Sequence, residues 1–226
     1  MDIRILFFIL WMTFMETTEA QKDTLIYIGD PMCSWCYGFG PELEKLVEKN
    51  PQLVLKIVTG GLRADGTEKF SELGGFLKSH WQEIHHRTGL PFKYDILQNQ
   101  ELYYNTEPAC RAVISVRILK PAIEMAYFRA LQNSFYADNM NPISTQTFVQ
   151  LAKEFKIDAE LYLKTFQSDK AKQWTRDDFK MAQNLGVRGF PSLLFKNKNG
   201  TTQIISNGFA NFSTLQTTLT EIVKSN

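Results

Sequence analysis

The sequence predicts an α/β protein whose sheet is interrupted by a long, all-helical insertion. Apolar, strand-like segments occur only near the two ends of the chain, and residues 67–185 between them show helical periodicity without a convincing strand. The 226 residues, 44% of them hydrophobic, suffice for one domain, or for a compact core that carries a large insertion.

The first part of the chain predicts strand, helix and strand. "TLIYIGD", residues 24–30, is short and apolar and ends in an Asp-Pro turn, which is typical of a buried strand. "PELEKLVEK" has apolar residues at helical spacing, with Pro41 expected close to the helix start. "LVLKIVTGG", residues 53–61, predicts a second strand. Such a βαβ unit implies parallel strands and a right-handed crossover.

The rest of the chain predicts six helices, a hairpin and a last helix. The helices are predicted over residues 70–86, 108–119, 122–136, 145–155, 159–165 and 170–185. Residues 191–197 and 201–206 pair as a hairpin across "NKNG", and residues 213–224 form the last helix with Ser213 as N-cap. We therefore predict a core of residues 24–61 and 186–226 and an insertion of residues 62–185.

The N-terminus has two interpretations. Residues 1–20 contain Arg4, an apolar run over residues 5–15 and a small-residue pattern ending at Ala20, as in a signal peptide. Alternatively, Met15 is the true start. The protein is exported or periplasmic in the first case and cytoplasmic in the second. The apolar run is too short to span a bilayer, so we expect no stable membrane insertion.

Charge and cysteine count exclude two classes of protein. The formal net charge is +1, and the chain has no long run of residues with the same charge. The sequence therefore lacks the basic patch that nucleic-acid binding requires. Three cysteines are too few for a scaffold held by disulfides.

Two of the cysteines, Cys33 and Cys36, are separated only by Ser34 and Trp35 and follow the first strand. At a helix start, unpaired N–H groups and the helix dipole favour an anion, so we expect Cys33 to be a reactive thiolate. Cys36, one turn further along the helix, is within reach of Cys33 and is better shielded, as suits a thiol that resolves a mixed disulfide. The pair is predicted to be a redox centre.

A metal site and a purely structural pair are the alternatives. Tetrahedral zinc needs four ligands, and a second cysteine pair is absent. The remaining candidates are Cys110, His80, His85 and His86, at no clear ligand spacing. We expect no metal and no cofactor, Cys110 as a small buried core residue, and His85 and His86 at the surface.

Besides the cysteine pair, a second distinctive motif is "GVRGFPSLLF", residues 186–195, which contains Pro191. A proline at the first residue of a strand is unremarkable by itself. A more specific hypothesis is a cis Phe190–Pro191 bond that places the Phe190 backbone beside the cysteines, where it can pair with an extended substrate. Large apolar residues near the pair, Met32, Trp35 and Phe190 among them, would suit contact with unfolded chains, although such side chains usually pack inward.

"DPMCSWCYGF" and "GVRGFPSLL" resemble the DsbA family of thioredoxin-fold oxidoreductases, in particular its FrnE-like branch of predicted protein-disulfide isomerases. "NTEPACRAV", residues 105–113, is similar to the motif that opens the inserted helical domain of that family. The resemblance runs from about residue 24 to the C-terminus. It implies a thioredoxin fold interrupted by a large all-helical insertion, with Cys33 as attacking thiol, Cys36 as resolving thiol and Pro191 as the cis-proline.

The resemblance also implies a function: thiol–disulfide exchange with protein or peptide thiols and disulfides, and with a redox partner protein or small thiol. Pro191, Phe190, Ser34, Trp35 and Met32 are the expected substrate-binding residues. Two departures from the family pattern matter. Ser34 and Trp35 replace the common Pro-His pair, and Tyr27 stands where thioredoxins bury an acid. The group that takes the proton from Cys36, and the direction of the redox reaction, therefore stay open.

Two rival functions remain. One is a glutathione-using isomerase or transferase, similar to hydroxychromene-carboxylate isomerases and kappa-class transferases. Those enzymes typically keep a serine or a single cysteine, so the intact Cys33–Cys36 pair argues against them. The other is a non-catalytic, chaperone-like binding module in which the pair is permanently oxidised.

Overall fold

The computed structural model describes residues 22–225, which contain one mixed sheet of four strands. The strands are β1 (Thr24–Gly29), β2 (Val54–Thr59), β3 (Ser192–Lys196) and β4 (Thr202–Asn207). Their order in the sheet is β2-β1-β3-β4. β1 pairs in parallel with β2 and antiparallel with β3, and β3 pairs antiparallel with β4. The predicted α/β fold with a helical insertion is confirmed, and each predicted strand is found within two residues of its expected bounds.

Eight α-helices accompany the sheet in the described part of the chain. They are α1 (Ser34–Lys49), α2 (Phe70–Thr88), α3 (Glu107–Leu119), α4 (Glu124–Tyr136), α5 (Thr145–Glu154), α6 (Ala159–Gln167), α7 (Asp169–Asn184) and α8 (Phe212–Ser225). Two short 3-10 helices, Asp95–Gln98 and Pro121–Ile123, lie between them. Helices α2–α6 are all contributed by the segment between β2 and β3, as predicted.

The two faces of the sheet are buried against different helices. Tyr27 and its neighbours at alternate positions of β1 belong to the larger hydrophobic core, which α1, α8 and the inserted helices share. Ile26 and Ile28 face the other way and pack with Ala182 of α7. Helix α7 falls within the predicted insertion, residues 62–185, yet it covers the second face of the sheet.

Helix α7 is held on β2 by a buried ionic network. Arg117 of α3 donates to both carboxylate oxygens of Asp178, each at 2.9 Å, and to the Ile57 carbonyl oxygen at 2.8 Å. Asp178 also accepts the Thr59 amide at 2.7 Å. The network therefore ties one inserted helix, α7 and the β2 edge of the sheet together, and it satisfies charges that would be costly to bury unpaired.

Pro41 was expected close to a helix start, and this expectation was wrong, because α1 begins at Ser34 and Pro41 lies inside it. A proline has no N–H for the carbonyl four residues earlier, here that of Tyr37. The buried Arg129 of α4 donates to this carbonyl instead, at 3.1 Å. Gly40 permits this approach, since a Cβ there would collide with the guanidinium.

Ser213 was also wrongly predicted as the N-cap of the last helix. The helix begins at Phe212, and the Asn211 side chain accepts the Thr214 amide at 2.9 Å, so Asn211 occupies the capping role. The predicted signal peptide or alternative start, residues 1–20, lies outside the described residues. None of the helices within residues 22–225 combines the length and the apolar character that crossing a membrane requires.

Candidate active site

The loop between β1 and α1 places Cys33 at the start of a helix. The Cys33 amide donates to the Asp30 carbonyl oxygen at 3.0 Å, which closes a tight turn directly after the strand. Cys33 is the N-cap of α1, and its sulfur accepts a hydrogen bond from the Cys36 amide at 3.4 Å. The predicted position is confirmed: the sulfur receives an otherwise unpaired amide at the positive end of the helix.

The start of β3 lies beside this sulfur. The Cys33 thiol donates to the Phe190 carbonyl oxygen, with 3.7 Å between Sγ and O. The Phe190–Pro191 peptide bond is cis, as predicted. The Gly208 amide donates a hydrogen bond to the Pro191 carbonyl oxygen at 2.7 Å, so the loop after β4 stabilises this segment. The Phe190 ring lies over Gly60, where a Cβ would collide with it.

The two cysteines of the pair differ in environment. Cys36 is completely buried, whereas 5% of the Cys33 surface is exposed. Burial raises the pKa of the Cys36 thiol well above its ordinary value, and the neighbouring Cys33 raises it further. The nearby Tyr27 hydroxyl and Asp30 backbone lower this pKa, but by less than burial raises it. Both cysteines are free thiols in this structure. The arrangement provides one thiol at the helix start and a second, protonated thiol behind it.

The buried carboxyl group of Asp30 stabilises the loop between β1 and α1 through hydrogen bonds. One oxygen accepts the Met32 amide at 2.8 Å, and the other accepts the Leu62 amide at 2.7 Å and the Cys110 thiol at 3.5 Å. Asp30 has no exposed surface, and its burial raises the pKa of the carboxyl. Cys110 is fully buried, as predicted, and burial raises its pKa well above the ordinary range.

Met32 does not fit the expected substrate-contacting surface. Only 1% of its surface is exposed, because its side chain packs into the larger core. Its carbonyl oxygen accepts the Tyr104 hydroxyl at 2.6 Å, a contact that fixes the loop just before Cys33. Met32 is thus a structural residue here. Ser34, Trp35 and Phe190 are half-buried, and Pro191 is buried.

A groove begins at Trp35, the second residue between the cysteines. The Trp35 and Phe209 rings lie 5.9 Å apart, and the Arg87 guanidinium lies over both rings, 5.3 Å and 5.8 Å from their centroids. Arg87 and Phe209 line a cavity of about 550 Å³ together with Gly38 and Pro41 of α1. This volume is within the range of small-ligand sites. No pattern in the sequence indicated the groove, since its residues come from α1, α2, the loop after β4 and α8.

Metal ligands do not converge in the described part of the chain. Among residues 22–225, no group of three or more His, Cys, Asp or Glu side chains could hold a metal ion. His85 and His86 are exposed, as predicted.

Comparison with known proteins gives the family. A family model described as thioredoxin matches residues 26–216. A candidate protein disulfide isomerase from Nitrosomonas europaea has a crystal structure that is 33% identical, with 91% of this chain and 99% of that chain covered and a TM-score of 0.84. The cytosolic disulfide reductase DsbM from Pseudomonas aeruginosa is 21% identical, with 90% and 100% covered and a TM-score of 0.75. A second structure of DsbM contains glutathione.

A curated relative carries a different name. The ClpXP adapter protein SpxH from Halalkalibacterium halodurans is 23% identical over 191 residues, which are 81% of this chain and 62% of that protein. The chain thus spans less than two thirds of the length of this relative.

The chain belongs to the thioredoxin family, since the match extends over most of its length and includes both the Cys33–Cys36 pair and Pro191. The inserted helices and the solved relatives define the group more narrowly. The fold of this chain matches that of the candidate protein disulfide isomerase and of solved DsbA-type oxidoreductases, in agreement with the resemblance that the motifs around Cys33 and Pro191 indicated.

Proposed function

We propose that the protein exchanges disulfides with polypeptide thiols through Cys33 and Cys36, with a small thiol or a redox partner protein restoring its own redox state. One observation carries this proposal: the Cys33 sulfur lies at the helix start, between the Cys36 amide and the Phe190 carbonyl oxygen, while Cys36 is buried directly behind it. The first thiol is placed to react with a partner and the second to complete the exchange.

The proposed cycle balances in either direction. A substrate thiolate attacks Cys33 Sγ of the oxidised pair, the Cys33–Cys36 bond breaks, and its electron pair remains on the Cys36 sulfur. A second substrate thiolate then attacks the substrate sulfur of this mixed disulfide. The substrate disulfide forms, and Cys33 leaves as the thiolate, so that the substrate is oxidised and the protein reduced. In the reverse direction, the Cys33 thiolate attacks one sulfur of a substrate disulfide, and the other substrate sulfur leaves as a thiolate. Cys36, after losing its proton, then attacks Cys33 Sγ, which forms the Cys33–Cys36 disulfide and releases the second substrate thiolate.

The surroundings of Cys33 support polypeptides as substrates. The Phe190 backbone faces the sulfur, and the partly exposed Trp35 ring adjoins the groove lined by Arg87 and Phe209. Extended chains bind by pairing with such free backbone groups and by placing side chains in neighbouring pockets. Pro191, Phe190, Ser34 and Trp35 are the residues that we propose contact substrate. The glutathione in the structure of DsbM supports a small thiol as the second partner.

The glutathione-dependent isomerase alternative is less well supported. The chain keeps both cysteines, and the Cys36 amide donates to the Cys33 sulfur at 3.4 Å, an arrangement suited to forming and breaking a disulfide. A binding role without turnover is the second candidate, favoured by the name of the ClpXP adapter relative. In that case the cysteines would be dispensable for binding.

An exchange assay separates these functions. The protein is incubated with a peptide that contains one disulfide between a fluorophore and a quencher, in the presence of a reduced small thiol. We expect turnover by the natural protein and by Cys110→Ser, a matched control that removes the third thiol. We expect turnover to be lost in Cys33→Ser. Peptide binding by the Cys33→Ser/Cys36→Ser protein without turnover by the natural protein would instead favour the binding module.

A further inference from the structure

Tyr27 lies in the middle of β1, on the strand face that is turned towards α1 and Cys36. After burial, the neighbouring Cys36 side chain is the largest influence that raises the pKa of the Tyr27 hydroxyl, so the two groups lie next to each other in the core. Only 1% of the Tyr27 surface is exposed, so solvent does not compete for this contact. Its ring is fixed by Phe39, stacked at 5.9 Å, and by Phe128, edge-on at 5.8 Å. A hydroxyl held in this way reaches the sulfur without the entropy cost of ordering a free side chain.

Gly29 makes this orientation possible. Residues two apart on a strand point to the same face, so Tyr27 and Gly29 share the face that is turned towards α1. The Tyr27 ring extends along the strand into the space above Gly29, where a Cβ would collide with the hydroxyl and the ring carbon that carries it. Without this glycine the phenol could not lie along the strand towards the start of α1.

We propose that the Tyr27 hydroxyl donates a hydrogen bond to the Cys36 sulfur when it becomes a thiolate, and that it thereby assists Cys36 as leaving group and as resolving nucleophile. This role rests on the proposed exchange function. When the Cys33–Cys36 bond breaks, the electron pair remains on a sulfur that no water reaches. Hydrogen bonds to a charged acceptor are the strong ones, and an uncompensated buried charge is costly.

The phenol is a donor and does not act as a base. Burial, followed by the nearness of Cys36, raises the pKa of Tyr27 well above its ordinary value of 10.0. It therefore keeps its proton at neutral pH throughout the exchange, and the proton of the Cys36 thiol passes to the departing substrate sulfur. The Arg129 guanidinium acts on Tyr27 in the opposite direction, as a weaker influence.

The test compares two reactions that differ only in whether Cys36 takes part. In the first, a small thiol reduces the Cys33–Cys36 disulfide, and Cys36 leaves. In the second, the same thiol releases a mixed disulfide formed at Cys33 in the Cys36→Ser protein, where Cys36 is absent. We expect Tyr27→Phe to slow the first reaction by about tenfold, because a hydrogen bond to a charged group is lost. We expect no measurable change in the second.

Tyr127→Phe is the matched control, since it also removes a buried hydroxyl, which contacts the Phe148 carbonyl oxygen at 3.1 Å and the Tyr162 hydroxyl at 2.8 Å within the inserted helices. It should leave both reactions unchanged, with circular dichroism confirming that each variant is folded. Equal rates for Tyr27→Phe and the natural protein, or equal slowing of both reactions, would overturn the role of Tyr27. If the natural protein itself formed no reducible Cys33–Cys36 disulfide, the proposed function would fail instead.

Discussion

The thiol of Cys33 contacts the carbonyl oxygen of Phe190 at 3.7 Å, although 157 positions separate the two residues in the chain. The sheet explains this contact. β1 ends just before Cys33, and β3 begins just after Phe190 and runs antiparallel to β1, with Ile28 opposite Ser192. Both residues therefore lie at one end of the sheet. The helical insertion joins β2 to β3 without disturbing this pairing, so the contact between Cys33 and Phe190 depends on the two strands.

Thiol reactivity should follow exposure. Cys36 and Cys110 have no exposed surface, and burial raises the pKa of both thiols, so each is protonated and shielded. We expect a small alkylating reagent at mildly acidic pH to modify Cys33 of the reduced protein before the other two thiols. Peptide mapping by mass spectrometry at several time points gives the order. Simultaneous modification of all three cysteines would contradict the distinction between an attacking and a resolving thiol.

The contact between Arg129 and the Tyr37 carbonyl should be coupled to Pro41. Arg129→Ala leaves this carbonyl without its donor at 3.1 Å, and we expect a loss of about 2 kcal/mol in the free energy of unfolding. In a Pro41→Ala background, residue 41 regains an N–H for the same carbonyl, so the loss should shrink by about 1 kcal/mol. Urea unfolding of the four proteins gives this coupling energy.

Glu44→Ala serves as a control for that cycle. It removes a half-exposed partner of the same guanidinium, 3.2 Å away, and should change stability by less than about 1 kcal/mol. Strictly additive effects of Arg129→Ala and Pro41→Ala would show that the guanidinium does not replace the missing N–H.

Asp30 should make stability depend on pH in a defined direction. Burial raises its pKa above the ordinary value of 3.8, so the folded protein binds this proton more tightly than the unfolded chain. By linkage, the contribution of the carboxyl to stability is complete below pH of about 4 and declines as pH rises through the folded pKa. The difference in the free energy of unfolding between the natural protein and Asp30→Asn should therefore fall as pH increases above about 4.

Urea unfolding of both proteins over a series of pH values measures this difference. Because Asn presents an amide group in place of one acceptor oxygen, one of the amides of Met32 and Leu62 loses its partner in the variant. A stability difference that grows with pH would mean that the folded protein prefers the charged form of Asp30.

Two helical glycines should respond oppositely to alanine. Gly75 in α2 is exposed, and a Cβ there would meet nothing within 4 Å. Gly75→Ala should therefore stabilise the protein by about 0.5–1 kcal/mol through helix propensity. Gly40 in α1 lies against the Arg129 guanidinium, so Gly40→Ala should destabilise by about 1–3 kcal/mol through overpacking. Thermal unfolding compares the two, and stabilisation by Gly40→Ala would contradict the packing of Arg129 on α1.

The sequence predicted the parts of the site that follow from local pattern. Cys33 at the helix start and the strand that opens after Pro191 each carry a short, specific motif. Tyr27 was singled out only by its position relative to Cys33. Its contact with Cys36 depends on the ring orientation that Gly29 allows, which sequence periodicity does not report.

The features that the sequence did not predict depend mostly on contacts between residues that are far apart in the chain. Asp30 looked like a turn residue, and only the fold brings Leu62 and Cys110 to its carboxylate. Pro41 was placed near a helix start because prolines favour that position, and nothing nearby in sequence indicated that Arg129 would replace the lost hydrogen bond. Met32 was expected to face substrate because large apolar residues surround the cysteines, but the turn directs its side chain into the core.

Trapping of mixed disulfides tests the roles of the two cysteines most directly. The Cys36→Ser and Cys33→Ser proteins are each incubated with a peptide that carries one disulfide, and the adducts are mapped by mass spectrometry. Because Cys36 is buried behind Cys33, we expect Cys36→Ser to accumulate an adduct on Cys33 and Cys33→Ser to accumulate little. An adduct of equal yield on Cys36 in the Cys33→Ser protein, or an adduct on Cys110 in either protein, would contradict the assignment of Cys33 as the attacking thiol.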